Sequence, residues 1–249
     1  MELYINERID EVNDSLSLIQ KTDGLTFGTD ALLLAGYVNS KYRIGAELGG
    51  GSGIISMLLL TRNKISECTA YEIQKEYAEL IRRNAEYNSL EDRLLAKEAD
   101  VRDLPPCEKF DIVFTNPPYM KACGGANNKT DQKSIARHEI CGTINDFCAA
   151  AKKLLKYGGA FYAVYRPDRL ADIISAMRES ELEPKRITFV HADIKSESSM
   201  VLIEAKRGGK SGLRLTRPLI VYADSSHKKY TDDMEYIMGN GFFPSDYKR

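Results

Sequence analysis

The chain has little of what several function classes require. Its five cysteines, Cys68, Cys107, Cys123, Cys141 and Cys148, are odd in number and form no C-x-x-C pair. That argues against a disulfide framework or a structural zinc site. Its three histidines, His138, His191 and His227, are scattered without metal-ligand spacing, so no metal is expected. Charge of one sign is also missing: 35 Lys and Arg stand against 36 Asp and Glu, for a net charge of −1. This excludes a protein that is basic as a whole, while leaving room for a basic patch on one face. No apolar run approaches transmembrane length, and Met1 to Glu7 carries acids where a signal peptide would be positive. A cytoplasmic location is expected. Internal repeats, low-complexity tracts and interdomain linkers are absent as well.

What is present is a globular composition, 43% hydrophobic and 29% charged, over 249 residues, enough for one α/β domain with a large core. Leu3 to Ile5 and Leu16 to Gln20, with a polar stretch between, suggest a small hairpin or edge cap. Thr29 or Asp30 is placed to cap an apolar helix over Ala31 to Tyr37. From Ile44 onward short apolar strands alternate with helices. Strands are predicted at 44–48, 68–71, 94–98, 110–115 and 160–165, with helices at 54–61, 74–88, 145–155 and 168–178. Strands at 187–191 and 200–205, joined by a short polar link, are predicted to pair antiparallel at the sheet edge. The βαβ rhythm implies a Rossmann-like α/β fold, a seven-stranded, mostly parallel sheet with an antiparallel edge strand and helices on both faces. We read 1–249 as one domain: an N-terminal appendage at 1–43, a core at 44–207 and a C-terminal extension at 208–249.

Asn116-Pro117-Pro118-Tyr119 closes the run Phe110 to Thr115. Two prolines lack N–H donors and fix φ, so the chain must leave the sheet in a stiff extended turn. Such a turn leaves the Asn116 amide oxygen and the Pro117 carbonyl as acceptors that no ladder consumes, with the Tyr119 ring beside them. Two acceptors and an aromatic plate suit a flat ring bearing an exocyclic amine. Glu47-Leu48-Gly49-Gly50-Gly51-Ser52-Gly53 succeeds the strand that starts at Ile44, and Gly49, Gly51 and Gly53 allow a sharp turn and close approach of a ligand. Its spacing is neither that of a dinucleotide fingerprint nor that of a Walker loop, and Glu47 would repel a pyrophosphate while welcoming a cation. Glu72 ends the next strand, where a carboxylate can accept both hydroxyls of a ribose. Asp100 lies beyond the following strand, placed for an adenine amino group, with the Val101 N–H available to the ring. Together, on successive strand ends, these groups make a nucleoside site.

Glu47 to Gly53, Glu72, Asp100 and Asn116 to Tyr119 resemble the ordered motifs of class I S-adenosylmethionine-dependent methyltransferases, over roughly residues 26 to 207. The tetrapeptide is similar to that of the amino-methyltransferases, which act on adenine N6, cytosine N4 or glutamine N5. Phe27 to Leu34 and Ala136-Arg137-His138-Glu139 look like stretches of the bacterial tRNA adenine-N6 methyltransferases that modify position 37 of valine tRNA. The second stretch is shared with release-factor glutamine methyltransferases. Gly50 departs from the Thr or Cys that relatives often carry there.

The resemblance implies S-adenosyl-L-methionine as cofactor, held by the Gly49 to Gly53 loop, Glu47, Glu72, Asp100 and Val101, with Asp30 taking its amino group or ordering the loop. It further implies that Asn116 and Pro117 hold the amine, Asn116 beside the cofactor, while Tyr119 stacks on the base. Direct in-line transfer without a covalent enzyme intermediate is the expected mechanism. Lys206, Arg207 and Lys210, in a run without acids, and Lys121 and Arg137, beyond the tetrapeptide, are expected to track phosphates of tRNA, at its anticodon stem-loop. Gly124 to Asn128 is expected to act as a lid. A release-factor glutamine methyltransferase, an rRNA or DNA adenine-N6 methyltransferase and a non-catalytic RNA-binding module remain open.

Overall fold

The computed structural model describes residues 3–22, 27–38, 41–117 and 142–248. The chain opens with an antiparallel hairpin, β1 (Glu7–Asn13) and β2 (Leu16–Lys21). The first strand thus falls on the polar stretch Glu-Arg-Ile-Asp-Glu-Val-Asn and not on Leu3 to Ile5. A two-stranded edge hairpin can leave most of one strand in water, so β1 carries no apolar signal. The hairpin is fastened to the body of the protein by buried Asn84, which accepts from the Ile19 N–H at 2.7 Å and donates to the Ile19 carbonyl at 3.1 Å and the Ser52 carbonyl at 3.0 Å.

Helix α1 (Thr29–Tyr37) comes next, then the alternation β3 (Tyr42–Leu48), α2 (Ile54–Thr61), β4 (Ile65–Glu72), α3 (Lys75–Tyr87), β5 (Leu94–Glu98) and β6 (Phe110–Thr115). After it come α4 (Ile144–Leu154), β7 (Leu155–Tyr165), α5 (Leu170–Glu179), β8 (Leu182–His191) and β9 (Ser198–Arg207). The short strands β10 (Arg214–Leu215) and β11 (Leu219–Ile220) and helix α6 (Asp232–Asn240) complete it. Helix α1 starts at Gly28 without a side-chain cap, so neither Thr29 nor Asp30 caps it; both lie in its first turn.

The strands form one nine-stranded sheet in the order β10-β8-β9-β7-β6-β3-β4-β5, with β11 also on β8. All pairings are parallel except those of β9, which runs antiparallel to both β7 and β8. The antiparallel strand is therefore not the outermost: the β8–β9 turn folds β9 inward against β7, leaving β8 for β10 and β11. Alternation along β7 shows how both faces are buried. Ala160, Tyr162 and Val164 join α1, α2 and α6 on one side, while Phe161 and Ala163 join α4 and α5 on the other. Each fully buried aromatic or aliphatic side chain contributes roughly 1.5–3 kcal/mol, so the two apolar layers hold the sheet rigid beneath its loops. Among the described residues no helix is long and apolar enough to cross a membrane.

Candidate active site

In a parallel sheet, ligands bind outside the carboxyl ends of the strands. Strands β6, β3, β4 and β5 are consecutive neighbours, with Leu48 level with both Tyr71 and Thr115, and Glu72 level with Glu98. Asn116, the loop 47–53, Glu72 and Asp100 therefore line one edge in that order.

The glycine loop is shaped by hydrogen bonds. The N–H groups of Gly49 and Gly50 donate to the Tyr71 carbonyl at 2.9 and 3.0 Å, and Gly53 donates back to Gly50 at 2.8 Å. Gly51, at φ +54°, has open space where a Cβ would be, the signature of a backbone a ligand can approach. At Gly50 a Cβ would lie 2.8 Å from Ile81 Cδ1 and 3.3 Å from Ala70 Cβ, so a larger residue there would require the Ile81 side chain of α3 to shift. Glu72 spans the loop: one carboxylate oxygen accepts from the Gly51 N–H at 2.9 Å and the other from the Gln74 N–H at 3.0 Å. Each oxygen keeps a further lone pair for a ligand hydroxyl.

The other two carboxylates differ from expectation. Glu47 does not face the edge: it is 1% exposed, and its Oε2 accepts from the Ser56 hydroxyl and, at 3.2 Å, from the Ser56 N–H. Burial pushes its carboxyl up to about 8, against the lowering effect of Ser56. The cause is local: Glu47 is a strand residue whose side chain points under α2, so it anchors that helix. Asp100 caps the short turn Val101–Asp103 and is bound by its own neighbour. Arg102 donates to it through the backbone N–H at 2.9 Å, Nε at 2.9 Å and Nη2 at 2.5 Å, which holds the carboxyl below the usual range. Receiving an adenine amine there would require Arg102 to yield. Val101 is buried beside it.

The acceptor side contains a contact that sequence order hides. Asn116 Nδ2 donates to Asp30 Oδ2 at 2.8 Å, bridging the end of β6 and the first turn of α1. The remaining Asp30 oxygen accepts from the Ala31 N–H at 2.9 Å. With its amide nitrogen committed, Asn116 is locked in one orientation. Its Oδ1 is buried and has no hydrogen-bond partner among the described residues. A buried unpaired acceptor is costly, on the order of 1–3 kcal/mol, and calls for an explanation such as a ligand N–H. Beside it, Thr29, Asp30, Arg166, Ser199 and Met200 line a cavity of about 300 Å³ between α1 and the ends of β7 and β9. Pro117 is buried and lines a second cavity, against α4 and α5.

Tyr119, Lys121, Arg137, the stretch 136–139 and the proposed lid 124–128 lie outside the described residues. The basic run is not brought to the site. Because β9 is antiparallel, its last residues point to the amino end of the sheet: Lys206 is level with Ala160 and Ile112, below Asn116 on the far side of the strands. Arg207 is also consumed, donating to the Leu155 carbonyl and to Glu108 at 2.7 Å, and Lys210 lies near Lys185 at that same end.

The pattern of the methyltransferase small domain family matches residues 21–180 of this chain. The chain is 26% identical over 232 residues to the tRNA1(Val) (adenine(37)-N6)-methyltransferase of Porphyromonas gingivalis, covering 89% of this chain and 85% of that one. It is 25% identical over 209 residues to the protein of the same name from Flavobacterium johnsoniae, covering 82% and 88%. Among solved structures it is similar to a predicted O-methyltransferase from Agrobacterium tumefaciens, with a TM-score of 0.70 and 28% identity over 86% of this chain and 98% of the other. With more than half its length matched by the family pattern, on a sheet whose carboxyl edge carries the motifs, the chain belongs to the methyltransferase small domain family and is a methyltransferase.

Proposed function

We propose that the protein transfers the methyl group of S-adenosyl-L-methionine to the N6 amino group of adenine in tRNA, at the base its named relatives modify, adenine 37 of valine tRNA. One observation carries the reading: the Asn116 amide, fixed by Asp30, presents a buried acceptor with no partner among the described residues. S-adenosylmethionine supplies an electrophilic methyl on a sulfonium. The open Gly51 backbone and the free lone pairs of Glu72 would hold its methionine and ribose parts, with Val101 at the adenine.

An exocyclic amine is a poor nucleophile because its lone pair is delocalised into the ring. The chain's task is therefore to take its N–H groups in hydrogen bonds that turn the nitrogen toward tetrahedral geometry, aimed at the methyl. Asn116 Oδ1 and the Pro117 carbonyl supply those acceptors. Orientation of this kind is worth up to about 7–11 kcal/mol at the limit. A hydroxyl acceptor would need a base to take its proton, and an amide oxygen is too weak for that. Nearby Asp30 serves to orient Asn116 through one oxygen and accepts from the Ala31 N–H with the other. The site thus suits N-methylation better than O-methylation. Tyr119 as the stacking plate, Lys121 and Arg137 as phosphate contacts, the anticodon stem-loop as the docking element, the three-part division of the chain at 43 and 207, and a cytoplasmic location complete the proposal.

The test supplies labelled S-adenosylmethionine with unmodified tRNA, release factor and DNA in parallel, and reads the products by nucleoside and peptide mass spectrometry. The expected result is N6-methyladenosine in tRNA alone. Label in a glutamine side chain or in DNA would overturn the reading.

A further inference from the structure

We propose that a ledge of stacked aromatic rings at the far end of the carboxyl edge is a second docking surface for the RNA, taking bases that neighbour the target. The proposal rests on tRNA being the substrate. The ledge is built where the β8–β9 turn meets the loop after β11. Val221 N–H donates to the His191 carbonyl at 2.9 Å, and Tyr222 N–H to the Ala192 carbonyl at 2.8 Å. The loop closes on itself through the bridge between Tyr222 and Tyr230 and the bonds Ala223 N–H to Lys229 carbonyl and Thr231 N–H to Val221 carbonyl.

Within this frame three rings lie almost parallel. Tyr222 is the shared ring, with His227 4.7 Å and Tyr230 5.2 Å from it, both at 18°. The other two rings remain open: the His227 side chain is 46% exposed and Tyr230 is 37% exposed. His227 also has φ +54°, a conformation that L residues rarely adopt. It is held there by its Nε2, 2.9 Å from Asp193 Oδ2, and by its N–H to the Asp224 carbonyl. These two bonds keep the exposed ring in a fixed stack on Tyr222.

The charges around the rings are mixed. Asp193 is 3% exposed and spent on His227, Ser196 and the Lys195 N–H, while Asp224 is an exposed acid that accepts from Ser226. Lys195, Lys228 and Lys229 are exposed and have no ion-pair partner among the described residues; Glu197, in the β8–β9 turn, is an acid also without one. By contrast, Arg166 and Arg169, nearer the cavity, are paired with Asp168 and Asp172. Exposed aromatic faces interleaved with free lysines are what single-stranded RNA binds, by stacking and phosphate contact.

The spacing fits one strand of RNA. From β6 to β8 and β11 is three to four strand intervals of about 4.8 Å, roughly 15–20 Å. At about 3.4 Å per stacked nucleotide that is some five nucleotides, the scale of a loop that presents one base to Asn116 and lays its neighbours along the edge.

The test measures binding of unmodified valine tRNA transcript to the full chain by fluorescence anisotropy over a series of KCl concentrations, alongside S-adenosylmethionine binding by calorimetry. Tyr230→Ala is expected to weaken tRNA about tenfold, with Tyr230→Phe restoring it. The exposed pair Lys228→Glu and Lys229→Glu, which has no packing to lose, is expected to weaken tRNA and lower the slope of log affinity against log salt by about 2. Cofactor affinity and melting temperature should not move. Wild-type affinity and slope in both variants, with the parent enzyme methylating tRNA, would overturn the ledge and leave the substrate reading standing. Failure of the parent enzyme to bind or methylate tRNA would overturn both.

Discussion

The two halves of the carboxyl edge are prepared in opposite ways. On the half proposed to hold the cofactor the three carboxylates of the motifs are already engaged: Glu72 by two backbone N–H groups, Glu47 by Ser56, Asp100 by Arg102. On the acceptor half, Asn116 has its donor tied to Asp30 and its acceptor left without a partner among the described residues. The difference fits what the proposed function asks of each half. A cofactor with hydroxyls, an amine and a carboxylate can be held by groups that retain spare lone pairs, so internal bonds cost little and stiffen the loop. An amine that must be turned toward tetrahedral geometry needs an acceptor whose direction is fixed and whose lone pair is not shared.

Replacing Asn116 should break this contrast most sharply. Asn116→Ala is expected to lower kcat about 10³-fold, near 4 kcal/mol in the barrier, because it removes an interaction that strengthens as the nitrogen changes geometry. Cofactor affinity by calorimetry should be unchanged; wild-type kcat would remove the residue from the acceptor half. Glu72→Ala tests the other half. A drop of about 10–100-fold in S-adenosylmethionine affinity is expected, with kcat at saturation falling much less. Undiminished affinity would mean that Glu72 only shapes the loop.

In the proposed mechanism Asp30 acts only by positioning Asn116, and its effect should be smaller. Asp30→Ala frees the Asn116 amide to turn, so kcat should fall about 10–30-fold with KM for tRNA little altered. Asp30→Asn keeps an oxygen acceptor for Nδ2 and should recover most of the rate. Equal loss in both variants, or a loss confined to KM, would show that the Asp30 charge acts on a ligand directly and that Asn116 is held by something else.

Much of this edge is legible in the amino-acid sequence. The apolar run Phe110 to Thr115 reads as a buried strand in a βαβ rhythm, and both it and the largely exposed edge strand Leu94 to Glu98 have the bounds the pattern predicts. The polar β1 and the two-residue β10 and β11 leave no periodicity to read, and α6, lying beyond them, carries too weak an apolar stripe to stand out. At the candidate site, the placement of Gly51 and Glu72 at the carboxyl edge is legible because motif and strand end coincide. The Asp30–Asn116 bond spans 86 residues in sequence, and nothing local announces it. The one available hint is that both are short polar residues beside apolar runs. The basic run shows a different lapse. Pairing the last two long strands antiparallel already implies that the chain leaves β9 at the amino end, so direction alone excludes Lys206 to Lys210 from the site. Lys195, Lys228 and Lys229, which do reach the carboxyl edge, lie in two loops of mixed charge that composition cannot separate from ordinary solvated surface.

Glu47 should matter least to turnover, and for that reason it separates position from chemistry. It begins the glycine motif, yet its carboxyl is buried under α2 and bonded to Ser56. Burial raises its folded-state value to about 8 from an ordinary 4.5. A carboxyl with a raised folded value holds its proton in the native state after the unfolded chain has released it. Its contribution to stability is therefore full below pH 4.5 and is lost as pH rises through about 8. Glu47→Gln keeps the shape and the hydrogen-bonding oxygen but cannot ionise. The variant should show a flatter fall in urea midpoint between about pH 5 and 8.5 than the parent, with S-adenosylmethionine affinity and kcat within about twofold. If instead the amide abolished cofactor binding while the pH dependence of stability stayed the same, Glu47 would be a ligand that turns outward in the complex, and the cofactor half would rearrange on binding where the acceptor half does not.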